Sequence, residues 1–216
     1  GIASGKRAVA MKLCQGKLPN RPPAELVREL YAAENQGKSE PSGSQDMIGL
    51  VYPGVSRLDY DFNFDGGIFP AHIESCHRTK VARWLEKVLH LIPVEPRPEG
   101  YHPLGKKNLE PKWVARLGQS GRDCYDAILK MDAKALGASL NLNMNCWATL
   151  LPHVVRHPLI KLDLMALLKA YQRQYLGAMY SGCGGGYLIV VANEPVPGAF
   201  KVNVRTAKCS TTDGHR

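Results

Sequence analysis

Residues 181–192 read SGCGGGYLIVVA, three consecutive glycines (Gly184, Gly185 and Gly186) running straight into an uninterrupted apolar stretch. Glycine loses more conformational freedom on folding than any other residue. Such a run ahead of a buried strand therefore persists where backbone must come close to something, or must take φ angles closed to other residues. Two explanations stay open: another segment or a ligand approaching Gly182 and Gly184 to Gly186, or a tight structural hairpin. Downstream, a turn at 195–198 leads into FKVNVR at 200–205, a second strand.

Upstream of this strand-rich end the pattern is helical. Residues 111–131 and 133–149 carry helix-forming sequence, and Pro152 with Pro158 breaks the chain before a third helix expected at about 159–173. A helix around Val81, Trp84 and Leu85 runs into a strand at 88–94, followed by the proline-rich turn EPRPEGYHPLGKK at 95–107. Nearer the N-terminus, GIASGKRAVAMKLCQ reads as a glycine-rich loop opening a helix. Pro22 and Pro23 introduce a second helix through Leu26, Val27, Leu30 and Tyr31. After the loop at 36–46, residues 47–52 and 57–64 are expected to be strands separated by a Pro53-Gly54 turn. Helices and strands intermixed, with a helical middle and no internal repeat, predict an α+β fold.

Composition narrows the function classes. The chain has 216 residues, 44% of them hydrophobic, which is ample for a real core. Apolar runs reach only strand length and no secretory h-region opens the chain, so it reads as soluble and cytoplasmic. A net charge of +9 admits nucleic acid or anionic metabolites, but there is no block of five like charges, and only 7% of residues are aromatic. Nucleic-acid binding thus has the charge alone behind it. Six cysteines without CxxC spacing indicate neither a zinc site nor a disulfide framework, and His72, Cys76 and His77 lack a second cluster of ligands.

Three segments carry candidate chemistry. In residues 1–6, backbone N–H groups ahead of a helix, with Ser4 and Lys6, suit an anion, or else form an ordinary cap. In SGSQD at 42–46, Asp46 follows a loop and is expected to precede an apolar strand, where it could take a proton from a hydroxyl; the alternative is a turn or capping aspartate. The third is the glycine run. In RPEGYHPLGKK, Arg97, Lys106 and Lys107 could meet phosphate, or form a solvated basic loop.

Together GIASGKRAVA, SGSQDMIGLVYPG and YSGCGGGYLIVV resemble the GHMP kinase family, in particular its branch of heptose-phosphate kinases and fucokinases, over most of the chain. The resemblance implies an ATP-dependent kinase that phosphorylates a hydroxyl of a sugar or sugar-phosphate, with Mg2+. Gly1, Ala3, Ser4, Gly5 and Lys6 would cradle the nucleotide phosphates, joined by Gly182, Gly184, Gly185 and Gly186. Asp46 would be catalytic, and Ser4 and Glu34 would serve the metal; the other reading of Glu34 is a solvated helix residue. The fold implied is GHMP-kinase-like with a mixed or antiparallel sheet and a ferredoxin-like C-terminal half. Residues 1–65 would be the remainder of an N-terminal domain, and 66–216 the C-terminal domain. The family's first motif has no counterpart here, so the chain would be a C-terminal portion. Where many members carry a second Ser, this chain has Gly5 and then Lys6, which favours the alternative of a noncatalytic relative that binds a ligand or assembles with a partner. The kinase reading expects residues 1–6, Asp46 and residues 184–186 to converge.

Overall fold

The computed structural model describes residues 19–37, 41–101, 104–182 and 186–206. Gly1, Ala3, Ser4, Gly5, Lys6, Gly184 and Gly185 lie outside the described residues, as does the helix expected after the first loop. The chain divides into two compact units, one drawn from Gly1–Arg78 with Arg205–Arg216, the other from Thr79–Val204.

The first unit contains α1 (Pro23–Asn35), α2 (Gln45–Val51) and an antiparallel pair, β1 (Val55–Asp59) and β2 (His72–Cys76). Proline at the start of α1 costs nothing, because the first N–H groups of a helix have no intrahelical partner. Val27 of α1 and Met47, Ile48 and Leu50 of α2 form the core, with Leu30, Tyr31, Leu58, Phe69 and Ile73 packed around them. The segment expected as a strand at 47–52 is thus helical. Alternation would bury Met47, Gly49 and Val51 and expose Ile48 and Leu50; the helical period buries Met47, Ile48 and Leu50 together and leaves Gly49 outside. Asp46 accordingly stands in the first turn of a short helix instead of at a sheet edge. The next strand ends at Asp59, well short of the expected 64, and the loop beyond it carries the one-turn 3-10 helix Asp65–Gly67.

The second unit opens with α3 (Thr79–Val88) and β3 (Leu89–Pro93), followed by a helical hairpin of α4 (Pro111–Lys130) and α5 (Ala133–Leu150). Met131 closes α4 in the left-handed conformation (φ 57°), and Asp132 accepts from the Ala135 N–H at 3.0 Å to start α5. The next helix, α6 (Leu164–Gln174), begins later than the expected 159, because Asp163 caps it by accepting from the Ala166 N–H at 2.9 Å. β4 (Gly177–Tyr180), β5 (Tyr187–Val191) and β6 (Phe200–Lys201) join β3 in an antiparallel sheet ordered β4-β5-β3-β6. Of the strand expected at 200–205, only two residues pair.

Tyr180, Leu188, Val190 and Ala178 of the sheet are fully buried against Cys146, Met144 and Leu150 of α5 and against Leu164 and Leu168 of α6. α5 reaches β4 backbone to backbone. A Cβ on Gly137 would lie 2.3 Å from the Leu176 carbonyl oxygen, and one on Gly177 would lie 2.2 Å from that of Gly137. The molecule is α+β with a helical middle and small antiparallel sheets, as expected. No described helix is long and apolar enough to cross a membrane.

Candidate active site

Asp46 is exposed, and the backbone around it is fixed from three directions. Ahead of it, Asn35 at the end of α1 accepts from both the Ser42 N–H (2.8 Å) and the Ser42 hydroxyl (3.0 Å). Next, Ser44 is fully buried; its hydroxyl donates to the Ile68 carbonyl at 2.7 Å, which leaves the Tyr60 hydroxyl, 3.0 Å away, to donate to Ser44. Burial pushes the Tyr60 phenol upward, against the effect of the Ser44 hydrogen bond, so it keeps the proton it donates. Behind, Arg205 donates to the carbonyls of Leu50 (2.6 Å), Gly49 (3.1 Å) and Tyr52 (2.6 Å). These are end carbonyls of α2 that lack a partner within the helix. The Gly54 N–H returns a bond to the Arg205 carbonyl at 2.6 Å. A seven-residue helix is not stable by itself, so these anchors set where the Asp46 carboxylate stands. Glu34 lies half-buried in the last turn of α1, beside Asn35.

In the second unit the third glycine segment is the hairpin between β4 and β5, closed by the Ser181 N–H donating to the Tyr187 carbonyl at 2.9 Å. Gly182 (φ +82°) and Gly186 (φ +79°) both occupy the left-handed region that glycine tolerates best. Gly186 is also paired to the segment after β3, donating to Glu95 at 2.9 Å and accepting from Val94 at 2.7 Å. The hairpin is real, and so is a close approach: a Cβ on Gly182 would sit 3.3 Å from Arg97 Nη2, which donates to the Ser181 carbonyl at 3.5 Å. Lys106 and Lys107 are exposed. Asp46 and Glu34 belong to the first unit, Gly182, Gly186 and Arg97 to the second. Among the described residues, no group of three or more His, Cys, Asp or Glu could hold a metal ion.

No family model matches the sequence, and no curated protein matches it. Solved structures do. A D-glycero-D-manno-heptose 1-phosphate kinase from Bacteriodes thetaiotaomicron superposes with a TM-score of 0.54 at 14% identity, over 87% of this chain and 49% of that one. The Methanococcus jannaschii mevalonate kinase gives 0.50 at 16% identity, over 85% of this chain and 52% of that one. The fold is that of the GHMP kinases. The chain spans about half the length of the structures it matches.

On this GHMP-kinase-like fold the described residues offer two kinds of chemistry. The first is an exposed carboxylate on an anchored turn, able to accept a proton. The second is the Arg97 guanidinium beside the hairpin at Gly182, a cation suited to phosphate oxygens. Sequence reasoning singled out Asp46, Arg97 and the hairpin as candidates but not the anchors. Ser44 reads as one more polar loop residue in SGSQD, and Arg205 is far from α2 in sequence, with no local pattern to connect them.

Proposed function

We propose that the chain is the phosphotransferase part of an ATP-dependent, cytoplasmic small-molecule kinase of the GHMP type, acting on a hydroxyl of a sugar or sugar-phosphate. The observation that carries this reading is the anchoring of Asp46, an exposed carboxylate in the first turn of α2, a helix held from both ends by Asn35, Ser44 and Arg205. Its likeness to a heptose 1-phosphate kinase in fold supports the sugar class.

In this reading Asp46 accepts the hydrogen bond, and then the proton, of the attacking hydroxyl. The family resemblance assigns the hairpin at Gly182 to Gly186, and separately residues 1–6, to nucleotide phosphates. Bound ATP would supply the phosphoryl group. Arg97 fits it as a cation beside Gly182, which carries no side chain. Mg2+ needs only one or two protein oxygens besides phosphate and water, and Glu34 and Ser4 are the residues assigned to it. A second reading, a noncatalytic relative with the same fold, rests on Lys6 in place of a metal-binding hydroxyl. Phosphate transfer from ATP to a panel of sugars and sugar phosphates separates the two. Turnover that depends on Asp46 supports the kinase; nucleotide binding without turnover supports the alternative.

A further inference from the structure

The connection from α5 to α6, residues 151–163, lines a shallow, wide-open cleft of about 450 Å³ in the second unit. This volume lies within the range of small-molecule sites. Arg156, Lys161, His153 and His157 line it, all within nine residues of sequence, together with Ile160 and Asp163. The arrangement is built from behind. Tyr101 packs edge-on against the His157 ring at 4.6 Å and donates its hydroxyl to the His153 carbonyl at 3.2 Å. The two imidazoles meet edge to face at 5.1 Å. His157 Nδ1 accepts from the Leu159 N–H at 3.2 Å, so the proton of the neutral ring resides on Nε2. Asp163 spends one carboxylate oxygen on the Ala166 N–H. His153 Nδ1 is buried with no hydrogen-bond partner among the described residues.

We propose that this cleft binds the phosphomonoester of a small phosphorylated polyol. Arg156 and Lys161 are exposed and line the same cleft, and at neutral pH a phosphomonoester carries about 1.5 to 2 negative charges that two cations match. The carboxylate of Asp163 is a poor neighbour for a second anion but a good acceptor for a sugar hydroxyl, which selects a hydroxylated phosphate ester over a bare or lipidic one. The lining carries no Phe, Tyr or Trp ring on which a nucleobase could stack, so a nucleic acid is disfavoured. The site involves neither Asp46 nor the glycine hairpin, and it stands whether or not the chain is a kinase.

The test compares ligand-induced thermal stabilisation and calorimetric binding for the wild-type chain and an Arg156→Ala/Lys161→Ala double variant. The probes are inorganic phosphate, a hexose phosphate, the free hexose, and ATP with magnesium. Both replaced side chains are exposed, and melting without ligand checks that the variant folds. The hexose phosphate should bind the wild type more tightly than the free hexose does, and the double variant should bind the phosphate ester about ten-fold more weakly or worse, while its response to ATP is unchanged. Equal binding by the variant, or no binding of any phosphate ester by the wild type at millimolar concentration, overturns the cleft. Inorganic phosphate binding as tightly as the ester overturns the polyol preference. An absent ATP response alongside intact ester binding counts only against the kinase reading.

Discussion

Tyr180 has its ring fully buried and its hydroxyl donating to the Leu164 carbonyl at 2.6 Å, which ties the end of β4 to the start of α6. Burial, reinforced by the Asp163 carboxylate, holds its phenol above the ordinary range. In the unfolded chain that phenol ionises near its usual value of about 10, whereas the folded protein keeps the proton to higher pH. The stability it contributes is thus complete below about pH 10 and declines as pH rises further. Alkaline denaturation followed by circular dichroism should show this loss. Tyr180→Phe should flatten it, at a cost of about 1 kcal/mol at neutral pH for the lost hydrogen bond. Arg205 makes a complementary prediction. Removing its guanidinium leaves the end carbonyls of α2 to water, so Arg205→Ala should lower stability by about 1 to 2 kcal/mol, with Arg205→Lys in between because one ammonium cannot span three acceptors. Chemical denaturation of the three proteins measures the order.

At the scale of elements, the close approach of α5 to β4 depends on two residues without side chains. Gly137→Ala and Gly177→Ala each drive a methyl into backbone, which cannot rotate aside, so each should destabilise by about 1 to 3 kcal/mol or more. Substituting exposed Gly121 of α4, where a Cβ meets nothing, should be neutral or stabilising; comparison of the three melting curves settles the point. The elements also show what the sequence could reveal. The long helices α4 and α5 and the strand β5 were legible because their apolar periodicity is sustained. α2 was not, because seven residues with four apolar side chains fit either period until packing chooses. β2 was missed altogether. HIESC has little apolar alternation, and two of its cross-strand pairs with β1 are polar: Ser56 with Ser75 (2.7 Å between hydroxyls) and Arg57 with Glu74 (3.3 Å), beside the apolar pair Leu58 with Ile73.

For the whole molecule, the α+β class was readable from the order of helices and strands, and the GHMP-kinase-like fold from three short motifs, two of which the structure describes in whole or part. The site was readable only where chemistry is local. Asp46 and the glycine hairpin announce themselves in five or six residues, whereas the anchors Asn35, Ser44, Ile68 and Arg205 assemble around α2 from separated positions and leave no pattern in any one segment. The claim that these anchors serve catalysis is tested most directly at the carboxylate they position. Asp46→Asn keeps the size and shape of the side chain but removes the base, and Asp46 is exposed, so the fold should be unaffected. Steady-state phosphate transfer from ATP, measured with the phosphorylated product identified by mass spectrometry, should fall by about two orders of magnitude or more in the variant, with ATP binding retained. Turnover within a few-fold of wild type would contradict the account and make Asp46 no more than a residue of a turn.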